Sequence, residues 1–129
     1  MKIIRFFAIV LLLVAGSFLS TLTGAPEKKR GPQTNRELVE READELEAAE
    51  KKMKAAFEQL LGILNETGKT ALKDSQDKWL AWREAQALFD SHHLEGGKLR
   101  PMEMHGSEAQ TTKTRTAQLL ADYKRFKAM

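Results

Sequence analysis

Residues 77–90 read DKWLAWREAQALFD. Both tryptophans of the chain, Trp79 and Trp82, stand in this stretch, and Arg83 directly follows the second. At 100° per residue, Trp79, Trp82, Arg83, Gln86 and Phe89 fall within one arc of a helix. An aromatic arc faces a core, so the arginine sits on the inner face or at its edge. Breaking a buried ion pair costs about 3–5 kcal/mol, so a guanidinium here needs a carboxylate from a neighbouring helix.

The segment before it supplies one. Thr34 and Glu37 form a capping box that opens a helix. Leu38, Val39, Ala43, Leu46, Ala49, Met53, Ala56, Phe57, Leu60 and Leu64 recur at spacings of three and four, one helical face. Glu50 lies on the same arc. The helix ends near NETG, residues 65–68, and a second runs over about residues 69–93. Its inner face reads Leu72, Ser75, Trp79, Trp82, Gln86 and Phe89. A short turn makes the two antiparallel, a long hairpin that sets position 83 opposite position 50. The expectation is a Glu50–Arg83 pair, with Glu47 as the alternative partner and Trp82 or Trp79 stacked on the guanidinium. Such a pair is expected to pin the register of the hairpin, with a ligand-binding role as the alternative.

Downstream, LEGGKLRPMEMHG (94–106) reads as a loop, broken by Gly96, Gly97 and Pro101. Ser107 and Gln110 then repeat the capping logic for a third helix over about residues 108–126, with the stripe Thr112, Thr116, Leu119, Tyr123, Phe126. The fold expected is all-α, a small bundle of three helices over residues 34–127.

The chain opens MKIIRFFAIVLLLVAGSFLS, two bases followed by an apolar run and then small residues. This is the layout of a secretory signal peptide, with cleavage expected after Ala25. The apolar run is short for a membrane span, so membrane contact is expected only through this segment, before cleavage. Residues 26–33, PEKKRGPQ, read as a linker. The net charge of +3 falls to +1 once Lys2 and Arg5 are removed. A nucleic-acid partner is therefore not supported, because the basic excess belongs largely to the leader. The product is expected in the periplasm or secreted. Without cysteine there is neither a disulfide framework nor a thiolate metal site.

Charge is segregated along the chain. Glu37, Glu40, Glu42, Asp44, Glu45, Glu47 and Glu50 crowd the start of the first helix. Lys113, Arg115, Lys124, Arg125 and Lys127 crowd the third. Runs of this kind form a solvated face or a recognition surface. His92, His93 and His105 lie in or beside one loop, but adjacent histidines on a helix point about 100° apart and make poor joint ligands. PMEMH, with Met102 and Met104, carries thioethers of the kind that suit copper. Neither pattern makes a metal site or cofactor the expectation. No nucleophile–base triad, phosphate-gripping glycine loop or carboxylate pair can be assembled, so an enzyme is not expected.

AEKKMKAAFEQLL (49–61), ALKDSQDKWLAWREAQ (71–86), the pair Gly96–Gly97 and TKTR (112–115) together resemble the LprI-type lysozyme-inhibitor N-terminal domain family. Glu50, Phe57, Gln76, Trp79, Trp82, Arg83, Gly96, Gly97, Thr112 and Arg115 stand at the motif positions. Glu50 replaces the usual Asp, Lys54 the usual Asn, and the cysteines many members carry near Arg41, Ala87 and Ser107 are missing. The resemblance implies an exported envelope protein that binds and inhibits a lysozyme-type muramidase. The alternatives are a periplasmic protein-interaction module without that activity, and a metal-binding periplasmic protein. For an inhibitor of a basic lysozyme with an acid-lined cleft, acids such as Glu40, Asp44 and Glu47 would steer association. Lys98 and Arg100 on the GGKLR loop would meet the cleft acids.

Overall fold

The computed structural model describes residues 34–129, so the expected signal peptide and linker lie outside the described residues. Three helices and no strand occur among them: α1 over Asn35–Leu61, α2 over Glu66–Asp90 and α3 over Arg100–Lys127. A single 3₁₀ turn over His92–Leu94 links the last two.

The first helix starts at the expected box. Glu37 N–H donates to Thr34 Oγ1 at 3.2 Å, and Thr34 N–H donates back to Glu37 Oε2 at 2.8 Å. Two of the amide donors that a helix start leaves without intrahelical partners are satisfied this way. A turn over residues 62–65 then reverses the chain. Asn65 caps α2 by accepting from Gly68 N–H at 2.9 Å, so α2 begins at Glu66, a few residues earlier than the sequence pattern suggests.

The third helix is the larger correction. It begins at Arg100, so PMEMHGS is helical and Ser107 is not an N-cap. Pro101 does not break this segment. It sits in the first turn, where a residue without an N–H leaves no bond unmade. The true loop is shorter and turns on its two glycines. Gly96 holds φ +75°, which side chains other than glycine rarely adopt. A Cβ on Gly97 would stand 3.0 Å from the Leu94 carbonyl.

Packing follows residue size. Lys113 pairs with Glu45, Glu42 lies beside Gly106, and Tyr123 bonds Gln59, so α1 and α3 run parallel. Met53 with Gln76 and Glu50 with Arg83 show α2 antiparallel to α1, as the sequence implies. The close partner of α1 is nonetheless α3, and the α1 and α2 backbones stand well apart. Ala49 and Ala56 on α1, and Ala109 and Thr112 on α3, are buried and small enough for two backbones to approach. Long side chains fill the space against α2 instead. The apolar centre is Met53, Ala56, Leu60 and Leu119, flanked by Phe57, Leu64, Leu72, Trp79 and Tyr123.

The inner face of α2 is also rotated from its expected position. Trp82 is 51% exposed and Phe89 65% exposed. Gln76 and Ala87 are buried instead, with Leu72, Trp79 and Arg83 partly so. Leu72, Gln76, Trp79, Arg83 and Ala87 keep helical spacing, but most of that stripe is not aliphatic. A hydrophobicity pattern chooses the two aromatics over the glutamine for that reason.

Candidate functional site

The α2 seam is a ladder of polar rungs seven residues apart, two helical turns each. At Gln76, the side-chain oxygen accepts from Arg115 Nε at 3.1 Å, while its amide nitrogen reaches Met53 Sδ at 3.3 Å. At Arg83, one terminal nitrogen donates both to Glu50 Oε1 at 2.8 Å and to Thr112 Oγ1 at 3.0 Å. At Asp90, the carboxylate accepts from Ser107 Oγ at 2.6 Å and from Gln86 at 2.8 Å. The TKTR motif thus acquires a physical sense. Thr112, fully buried, accepts from Arg83, and Arg115, one turn on, donates to Gln76.

The expected Glu50–Arg83 pair is therefore present, and Glu47 is not the partner. The Arg83 side chain is 13% exposed and that of Glu50 is 44% exposed, so water screens the pair from one side only. Arg83 Nε is buried without a partner. The stacked aromatic is Trp79, whose ring lies 5.5 Å from the Arg83 guanidinium carbon. The same ring lies 5.8 Å from the Arg115 guanidinium carbon. One indole thus sits beside two cations.

Trp82 belongs to a different surface. With Trp79 it lines a groove of about 320 Å³ between α2 and α3, whose other wall is Gln110, Thr111, Thr114, Arg115 and Gln118. Residues 110, 114 and 118 repeat every fourth position on α3. That spacing is visible in the sequence, but without aliphatic residues it draws no notice there.

The residues expected to meet a partner spread over one end of the bundle. Lys98 is exposed and shares a recess of about 650 Å³ with Arg36, Val39, Glu40 and Pro101. Glu40 accepts from Arg36 at 2.7 Å. Arg100 turns inward to Ser91 Oγ at 3.4 Å and lies 3.9 Å from Glu95, so it does not share that recess. Asp44 and Glu47 are exposed one and two turns beyond Glu40 on α1.

The three histidines do not converge. His92 Nδ1 bonds the Phe89 carbonyl at 2.6 Å and its ring stacks on Phe89, while His105 faces Glu108 on α3 at 3.7 Å. No group of three His, Asp or Glu side chains able to hold a metal occurs among the described residues. No described helix is long and apolar enough to cross a membrane.

Fold and motif together define a small all-α protein in which a glutamine, a tryptophan and an arginine on one helix are locked to a threonine and an arginine on another. A family model described as lysozyme inhibitor LprI matches residues 26–119, and the chain belongs to that family. No curated protein and no solved structure matches it.

Proposed function

We propose that this chain is an exported envelope protein that binds and inhibits a lysozyme-type muramidase. Membership of the lysozyme-inhibitor family is the observation that carries this reading. The exposed acids of α1, Glu40, Asp44 and Glu47, support it as a surface that would steer a basic enzyme inward and lose strength with salt. Lys98, exposed beside Glu40, is the basic side chain best positioned to meet a cleft carboxylate. Arg100, held by Ser91, is the weaker candidate. Trp82 and Phe89, exposed on α2, favour a second reading: an interaction module whose partner is another envelope protein.

The test is lysis of a cell-wall suspension by hen-type, goose-type and invertebrate-type lysozymes, with residues 26–129 added at low and moderate salt. Saturable, salt-sensitive protection against one type is expected, weakened by Lys98→Ala and by neutralising Asp44 and Glu47. A folded, helical protein that protects against none of the three would leave the interaction module as the better reading.

A further inference from the structure

The two arginines beside Trp79 are alike in position and unlike in charge compensation. Arg83 has the Glu50 carboxylate at 2.8 Å. Arg115 has none: among the described residues it enters no ion pair. Its three bonds go to neutral oxygens, Gln76 at 3.1 Å, Ser75 at 3.2 Å and Gln118 at a long 3.5 Å. A guanidinium carries five N–H donors and keeps its charge in proteins. Two donors of Arg115 thus remain unassigned, and a third is weakly held. Burial presses its pKa below the usual arginine value, with only the more distant charge of Asp122 opposing. The neutral acceptors hold the planar fork in place without cancelling its charge.

The groove that Arg115 lines contains no acid. It offers the Trp82 ring, half exposed, as an apolar platform, and Gln110, Thr111, Thr114 and Gln118 as neutral hydrogen-bonding groups. Its volume of about 320 Å³ lies at the small end of ligand pockets. Planar, two-point recognition of a carboxylate is what an oriented arginine does best. We propose that the groove between α2 and α3 binds an acidic peptide segment of a protein partner, its carboxylate side chain on Arg115 and a neighbouring apolar residue on Trp82. This site stands apart from Lys98 and from the α1 acids, and it does not depend on the partner being a muramidase.

Both tryptophans of the chain line this groove, so selectively excited tryptophan fluorescence reports on it. Residues 26–129 would be titrated with acetyl-Leu-Glu-amide, acetyl-Leu-Gln-amide and sodium acetate at matched ionic strength. The glutamyl peptide is expected to give a saturable change, and the glutaminyl peptide one weaker by about tenfold or more, as loss of a charged partner implies. Acetate is expected to give none. Gln118→Glu places a built-in carboxylate at the Arg115 fork and should abolish the response while helicity and melting temperature are kept. Thr114→Glu, on the same wall, is the second blocking variant. Equal responses to the two peptides, an equal response to acetate, no response to any probe, or a full response in both folded variants would each overturn the proposal.

Discussion

The two seams of this bundle are built on opposite chemistry. Between α1 and α3, small buried residues let the backbones close on each other, and Met53, Leu60 and Leu119 exclude water. Along α2, the backbone is held off by glutamine, tryptophan and arginine; the glutamine and the arginine bond named partners, and the indole lies beside two guanidinium groups. The first seam is nearly indifferent to geometry beyond shape, because burial is non-directional. The second is directional, and each rung fixes an orientation. The difference teaches where identity is constrained: volume matters on one side, the exact atoms on the other.

The largest test of this contrast is Leu119→Ala in the dry seam. Loss of about 2–5 kcal/mol is expected from the cavity it leaves, measured by denaturant unfolding. A loss well below that would mean that α3 relaxes onto α1 and that the seam is not close-packed. Next comes the pair of tryptophans. Trp79→Ala removes the ring beside both arginines and should cost about 3 kcal/mol. Trp82→Ala, half exposed, should stay within about 0.5 kcal/mol. Equal costs would erase the distinction between a structural indole and a surface one.

A finer test is the asymmetry of the Glu50–Arg83 rung. Glu50→Ala leaves a nearly buried guanidinium with only Thr112 and the Trp79 ring, and should cost roughly 1–3 kcal/mol. Arg83→Met leaves a carboxylate that water can reach, and fills the space with apolar atoms, so a smaller cost is expected. Measured side by side by urea unfolding, the reverse order would show that the arginine contributes packing rather than charge.

The smallest effect concerns the start of α2. Glu66, fully exposed, has its pKa lowered, first by a hydrogen bond from Lys69 and then by the charge of that lysine. A carboxyl whose folded pKa is depressed contributes stability above its ordinary value, and loses it as pH falls through the folded one. The Glu66 carboxyl signal should therefore titrate below an ordinary glutamate by NMR, and return to the usual value in Lys69→Met.

One rung of the directional seam, Glu50–Arg83, is legible in the sequence, because it follows from helical geometry. The capping box at Thr34 and the antiparallel turn set Glu50 against Arg83. What the sequence concealed has physical reasons. The face of α2 is hidden because Gln76 is buried by its bonds to Met53 and Arg115, and hydrophobicity cannot see bonds that close across two helices. The start of α3 is hidden because Pro101 reads as a breaker in sequence, although proline suits the first turn of a helix. Ser107 looked like a cap because nothing in the sequence shows Asp90 waiting for its hydroxyl. The α1–α3 partnership was hidden in alanines, which are too small to stand out as a core and are buried here for their smallness.

The parallel course of α1 and α3 has one more effect. Six carboxylates from Glu37 to Glu47 crowd the first turns of α1, and Lys124, Arg125 and Lys127 crowd the last turn of α3. Since both helices point the same way, one end of the bundle is negative and the other positive. These full charges outweigh the half-charges of the helix termini they sit upon. A molecule whose formal net charge is only +3 thus carries a permanent electric moment along its bundle. It experiences a torque before it experiences attraction, and near any charged surface it would arrive already turned.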